Sequence, residues 1–200
     1  MSLEEHITAL QASLDKAKLV PGSASELIPS SFAPSTVLKI SFGDKAVDLG
    51  NFFRASECKV APTISFAPET GSSSSSNASY LLILTDPDAP TPDDPKFAFW
   101  RHWIVSGLQP LAGGSQGAVA LTKPTITEYL GPGPKDDSKP HRYLFLLYRE
   151  PEALDLKKQD AGGEEFVERR SFKPAQFAEK FQLKLVSVNW MTCAGDGWSE

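Results

Sequence analysis

Two histidines, a tyrosine, a pair of aspartates and a glycine–proline loop are the residues of this chain whose types and spacing could do chemistry. His102 lies in Trp100-Arg101-His102-Trp103-Ile104-Val105. His141 opens His141-Arg142-Tyr143-Leu144-Phe145-Leu146-Leu147-Tyr148, and Asp86 and Asp88 close Tyr80-Leu81-Leu82-Ile83-Leu84-Thr85-Asp86-Pro87-Asp88-Ala89-Pro90. Both histidines border apolar runs, so burial and nearby carboxylates compete to set their charge. Imidazoles, a tyrosine hydroxyl and loop amides together make an anion cradle, with carboxylates orienting the rings. Each histidine taken alone reads equally as a structural side chain with its hydrogen bonds satisfied. A zinc site could use two histidines and aspartates, but no HExxH or paired CxxC spacing is present. Ser106 follows the His102 strand without a GxSxG elbow, and neither phosphate-loop fingerprint occurs. Residue chemistry alone leads to a pocket for an anionic or polar head group, with no metal and no cofactor.

These residues need rigid elements to bring them together. Tyr80–Leu84 is apolar throughout and bounded by turn residues, as in a strand buried on both faces; His141–Tyr148 reads the same way. Val37–Phe42 alternates as a half-buried strand, Gly43-Asp44 turns, and Ala46–Leu49 returns beside it. Pro62–Phe66 is a further short strand, and Gln182–Trp190 alternates as the last one. Ser2-Leu3-Glu4-Glu5 is a capping box, after which Leu3, Ile7, Leu10, Leu14 and Ala17 recur at helical spacing up to Pro21-Gly22. Such a helix docks on the body or grips a partner. Glu164–Ser171 and Pro174–Phe181 read as short helices, the second with proline at its first position. Gly107–Lys123 is glycine-rich and poorly patterned, and residues 71–79 form a serine-rich flexible loop. The glycines of Tyr129-Leu130-Gly131-Pro132-Gly133-Pro134 permit close backbone approach. The expected architecture is mainly β: an antiparallel-rich sandwich with peripheral helices, as one domain over residues 1–200, with residues 1–20 forming the N-terminal helix.

Composition narrows the partners. A net charge of −5 and the lack of a lysine–arginine stripe argue against nucleic acid. Apolar residues make up 40% of the chain, enough for a core, and no run approaches the roughly 20 residues of a membrane span, leaving at most peripheral membrane contact. Cys58 and Cys193 are expected to be reduced thiols, and with no secretory signal the expected location is the cytoplasm.

The motifs Asp86-Pro87-Asp88-Ala89-Pro90, His102 on the next strand, Gly131-Pro132-Gly133-Pro134 and Pro140-His141-Arg142-Tyr143 occur in that order. In these the chain resembles the phosphatidylethanolamine-binding protein family. The opening helix, the long stretch before Thr85, and the closing Phe177–Trp190 segment look most like its fungal branch, whose best-known members inhibit the vacuolar serine carboxypeptidase Y. The resemblance implies a large central sheet packed on a smaller one, with a small pocket that accepts phosphate, acetate or phosphorylated head groups. It implies that Asp86, His102, His141 and Tyr143 line that pocket, that Asp88, Pro90, Trp100, Gly131 and Gly133 form its walls and mouth, and that the Ala89-Pro90 bond is cis. Departures from the family pattern are Arg101, Phe97, Lys135 and Pro140, the first three altering the pocket rim toward a less polar ligand.

Two functions follow. One is a regulator that binds an anionic or phospholipid head group, or a small hydrophobic ligand, and inhibits a serine carboxypeptidase, with the N-terminal helix contributing to the enzyme contact. The other is a cofactor-independent acid–base enzyme, an isomerase, cyclase or dehydratase of fungal secondary metabolism acting on a hydrophobic carbonyl compound. In that case His102 or His141 is the base and Tyr143 or Asp86 the acid or orienter.

Overall fold

A computed structural model describes residues 2–69, 78–111 and 117–200. The serine-rich stretch expected to be flexible falls largely outside them. Tyr80–Asp86 (β5) is buried at every position, as its unbroken apolar run requires. It pairs antiparallel with Trp100–Pro110 (β6) on one side and His141–Arg149 (β8) on the other. Lys184–Ala194 (β9) continues the sheet antiparallel to β8, and Phe52–Arg54 (β3) adds a parallel edge to β9. Val119–Leu121 (β7) closes the other edge, giving a six-stranded order β3-β9-β8-β5-β6-β7. A smaller antiparallel sheet joins Lys39–Phe42 (β1) to Lys45–Ala46 (β2) and Thr63–Ser65 (β4). The fold is therefore mainly β, a large mixed sheet with a smaller one and few helices.

Side chains alternate across the large sheet and feed two cores. Tyr80, Leu82, Leu84, Tyr143, Phe145 and Leu147 meet Ile40 and Phe42 of the small sheet and Leu38 just before it. Leu81, Ile83, Leu144 and Leu146 face the other way, onto helices. Those helices are Leu3–Lys16 (α1), with the expected capping box from Ser2 and Glu5, the single turn Lys158–Ala161 (α2), and Pro174–Lys180 (α3), with proline in its first turn. Leu10 and Leu14 of α1 and Phe177 and Ala178 of α3 are buried there. The Glu164–Ser171 stretch narrows to one 3₁₀ turn, Phe166–Arg169.

Three short elements depart from expectation. The strand expected to end at Val105 runs on to Pro110, because Gly107 takes a φ of +77° and its amide is held by the Glu150 carboxylate. It then recruits β7 out of the unpatterned stretch. β3 is too short to show an alternation. The Ala46–Leu49 return strand shrinks to β2, because Leu49 has a φ of +43° and turns the chain away. Among the described residues, no helix is long and apolar enough to cross a membrane.

Candidate functional site

β5 ends, and β6 and β8 begin, at the same end of the large sheet. Along β6 the pairing shifts register: Leu84 faces Trp103 but Thr85 faces Arg101, so His102 is an extra residue, a β-bulge. Strict alternation from Ile104 would aim His102 at the helix-covered face. The bulge turns it to the other face, where its ring meets Tyr143 edge-on at 5.2 Å. The same shift sends Arg101 to the helix side. Its guanidinium donates to the carbonyls of Ala161 and Gly163 and lies 5.3 Å from the Phe172 ring.

The result is a cavity of about 400 Å³ lined by Asp86, Pro90, Trp100, His102, Gly131, Gly133, His141 and Tyr143, and also by Phe97, Lys135, Phe166 and Arg170. Eight of the nine residues expected at the pocket thus converge. Asp88, the ninth, is buried beside it and serves Arg142 instead: its carboxylate accepts from the Arg142 amide at 2.8 Å and from Nε and Nη2 at 2.9 and 2.5 Å. Arg101, expected at the rim from its departure from the family pattern, is not there, whereas Phe97 and Lys135 are. The Ala89-Pro90 bond is cis, as expected. Gly131 needs to be glycine, since a Cβ there would stand 2.5 Å from the Cys58 carbonyl oxygen; at Gly133 the space is open. Tyr129 donates to that same carbonyl at 2.6 Å and so fixes the loop.

The polar groups divide into satisfied and unsatisfied ones. Asp86 Oδ2 is 2.8 Å from His141 Nδ1, and Asp86 Oδ1 accepts the Asp88 amide at 2.6 Å. His141 Nε2 is 3.0 Å from the Ser138 hydroxyl, so both nitrogens of this ring are engaged within the protein. Burial pushes the Asp86 carboxyl up, against the pull of its hydrogen bond with His141. His102 Nδ1 lies 2.6 Å from the Leu130 carbonyl, which can only accept, so Nδ1 carries the proton and Nε2 is the acceptor. Burial, partly offset by that carbonyl and reinforced by Arg169 and His141, lowers its pKa to about 4; the ring is neutral at pH 7. Tyr143 is held as a neutral phenol, its pKa raised well above the ordinary value chiefly by burial. The buried Trp100 Nε1 has no partner. Arg170 stacks on Phe97 at 4.2 Å and makes no ion pair among the described residues. Buried donors without partners are uncommon, and here they border a cavity.

Phe166 and Arg170 were not legible in the sequence as site residues. They arrive on the 3₁₀ turn, anchored where Arg169 donates to the carbonyls of Arg101, His102 and Glu128. The only sequence signal was an aromatic and arginines flanking a short helical stretch. Cys58 and Cys193 are both free and buried. Among the described residues, no three His, Cys, Asp or Glu side chains are grouped to hold a metal ion.

A model of the phosphatidylethanolamine-binding protein family matches residues 30–182. An uncharacterised protein of Saccharomyces cerevisiae is 31% identical over 151 residues, covering 74% of this chain and 73% of that protein. The carboxypeptidase Y inhibitor of the same yeast is 29% identical over 178 residues, covering 78% and 81%. Among solved structures, carboxypeptidase Y inhibitor complexed with its cognate proteinase aligns with a TM-score of 0.79 at 23% identity, over 95% of this chain and 97% of that one. The phosphatidylethanolamine-binding protein from Plasmodium vivax aligns at 0.70 and 24% identity, over 93% and 97%. Those two likenesses show the fold, and the sequence matches carry the kinship: the chain belongs to the phosphatidylethanolamine-binding protein family.

Proposed function

We propose that this protein is a regulator that holds a small anionic group in the cavity and restrains a serine carboxypeptidase. The observation that carries the binding half is the cavity itself: its one carboxylate is already engaged by His141, while Arg170 and Lys135 stand on its lining without an ion pair among the described residues. A phosphate or carboxylate bearing a proton would also satisfy the lone pair of His102 Nε2 and accept from Tyr143. Kinship with carboxypeptidase Y inhibitor, and the docked, fully capped α1, support the inhibitory half. A second reading, acid–base catalysis on a hydrophobic carbonyl compound, is favoured by one pairing alone. A neutral imidazole with a free nitrogen stands against a protonated phenol in a buried site, with His102 as base and Tyr143 as acid.

Titration of yeast carboxypeptidase Y with the purified protein is expected to abolish peptidase activity at near-stoichiometric ratios. Unchanged activity at micromolar protein removes the inhibitory half. Mass spectrometry of the ligand that co-purifies separates the two readings, because a regulator returns it unaltered after incubation and an enzyme converts it.

A further inference from the structure

The cavity has an inner and an outer half of different character. Inside are Asp86, His102, His141 and Tyr143. Outside, Phe166 packs on Trp100 with ring centroids 4.7 Å apart, and the Arg170 guanidinium sits 4.2 Å from the Phe97 ring, 5.9 Å from Trp100 and 5.8 Å from Phe166. Phe166 is 62% exposed, an unusual place for a large aromatic that is also held by neighbours. Arg170 Nε is buried and unpartnered. Lys135, also on the lining, makes no ion pair among the described residues.

Resting on the anion-binding reading above, we propose that this outer wall is a subsite for a flat, unsaturated body attached to the anion. The ligand class is an aryl or conjugated phosphate or carboxylate, with the ring against Phe166 and Trp100 and the charge shared with Arg170. The same wall disfavours a zwitterionic head group. An ammonium needs a free carboxylate, and Asp86 is taken by His141; the rings of Phe97, Trp100 and Phe166 already have the Arg170 cation within 6 Å, which opposes a second positive charge over them but not a neutral ring. Arg170 and Lys135 would repel it as well. A planar anion, in contrast, can slide beside a stacked guanidinium and pair with its edge.

Calorimetric titration at pH 7 with inorganic phosphate, phosphoethanolamine and phenyl phosphate tests this. Phenyl phosphate is expected to bind at least about tenfold more tightly than inorganic phosphate, the scale of one aromatic stacking contact. Phosphoethanolamine is expected to show no gain. Phe166→Ala should erase most of the phenyl advantage and leave inorganic phosphate unchanged; being on an exposed side chain, the change should not disturb folding. Arg170→Gln should weaken phenyl phosphate several-fold. Equal binding of phenyl phosphate and inorganic phosphate, or a phenyl advantage that survives Phe166→Ala, overturns the aromatic subsite while leaving the anion pocket standing. Absence of binding by all three probes overturns both.

Discussion

His102 is held as a neutral ring by its place in a closed site, and that has a consequence for stability. In the unfolded chain a histidine takes up a proton near pH 6.5; in the fold this one resists until about pH 4. Between those values the unfolded chain binds more protons, so stability rises with pH. The His102 contribution is complete above pH 6.5 and is lost as pH falls toward 4, by at most about 3 kcal/mol. Asp86, whose carboxyl is raised by burial, acts in the opposite sense, since the folded state binds its proton more readily. His6 is also lowered, by burial, and acts in the same sense as His102. Comparing the protein with His102→Gln isolates the one residue, because the others are common to both. Urea unfolding from pH 7 to 4.5 should show a shallower loss of stability in the variant; equal slopes would mean that the ring is not kept neutral. The identity of this histidine as a candidate was plain from the sequence. Its neutral state was not, because burial in the folded site sets it, nor was its tautomer, which the Leu130 carbonyl fixes from 28 residues away along the chain.

The elements that matter most are a one-residue bulge and a fastened turn. The bulge at His102 turns His102 and Trp100 toward Tyr143 and Arg101 away, which is why neighbours in sequence have unrelated roles. No hydrophobic pattern announces it, since Trp100–Val105 is buried at every position and every register satisfies a buried strand. The central strands were legible because their apolar runs are long; β3 and β7, three residues each, owe their conformation to the strands beside them. The 3₁₀ turn that delivers Phe166 and Arg170 is fastened by Arg169, a 6%-exposed cation serving four backbone carbonyls, those of Glu164, Arg101, His102 and Glu128. Arg169→Met removes the side-chain donor from those carbonyls, of which that of His102 keeps the Leu130 amide, and should lower stability by about 2–4 kcal/mol. Hydrogen exchange gives the sharper reading: amides across residues 164–173 should exchange faster while those of β5 stay protected. Unchanged exchange in the turn would show that Arg169 is not its fastening.

At the scale of the whole molecule, the N-terminal helix and the pocket are parts of one connected body. Arg142 ties them, with Nη1 donating to the Ala17 carbonyl at 2.8 Å while Nε and Nη2 hold Asp88 behind the cavity. Ser13 accepts from Trp190 Nε1 at 3.0 Å, and Leu10 is fully buried against the sheet. Leu10→Ala should therefore cost about 2–5 kcal/mol and preserve a single cooperative urea transition. A second, earlier transition would mark α1 as an independently melting appendage. The sequence by itself determined the long central strands of the large sheet, the capped helix and the identity of eight residues that line the cavity. It could do so because apolar runs, helical spacing and a capping box are local patterns, and because the motif residues sit at strand ends. Only the tertiary structure decided which way His102 and Arg101 point, that Asp88 braces Arg142 behind the cavity wall, and that Phe166 and Arg170 complete the outer wall. Each of those depends on a register shift or a long-range backbone contact, and neither leaves a mark in the local order of residues.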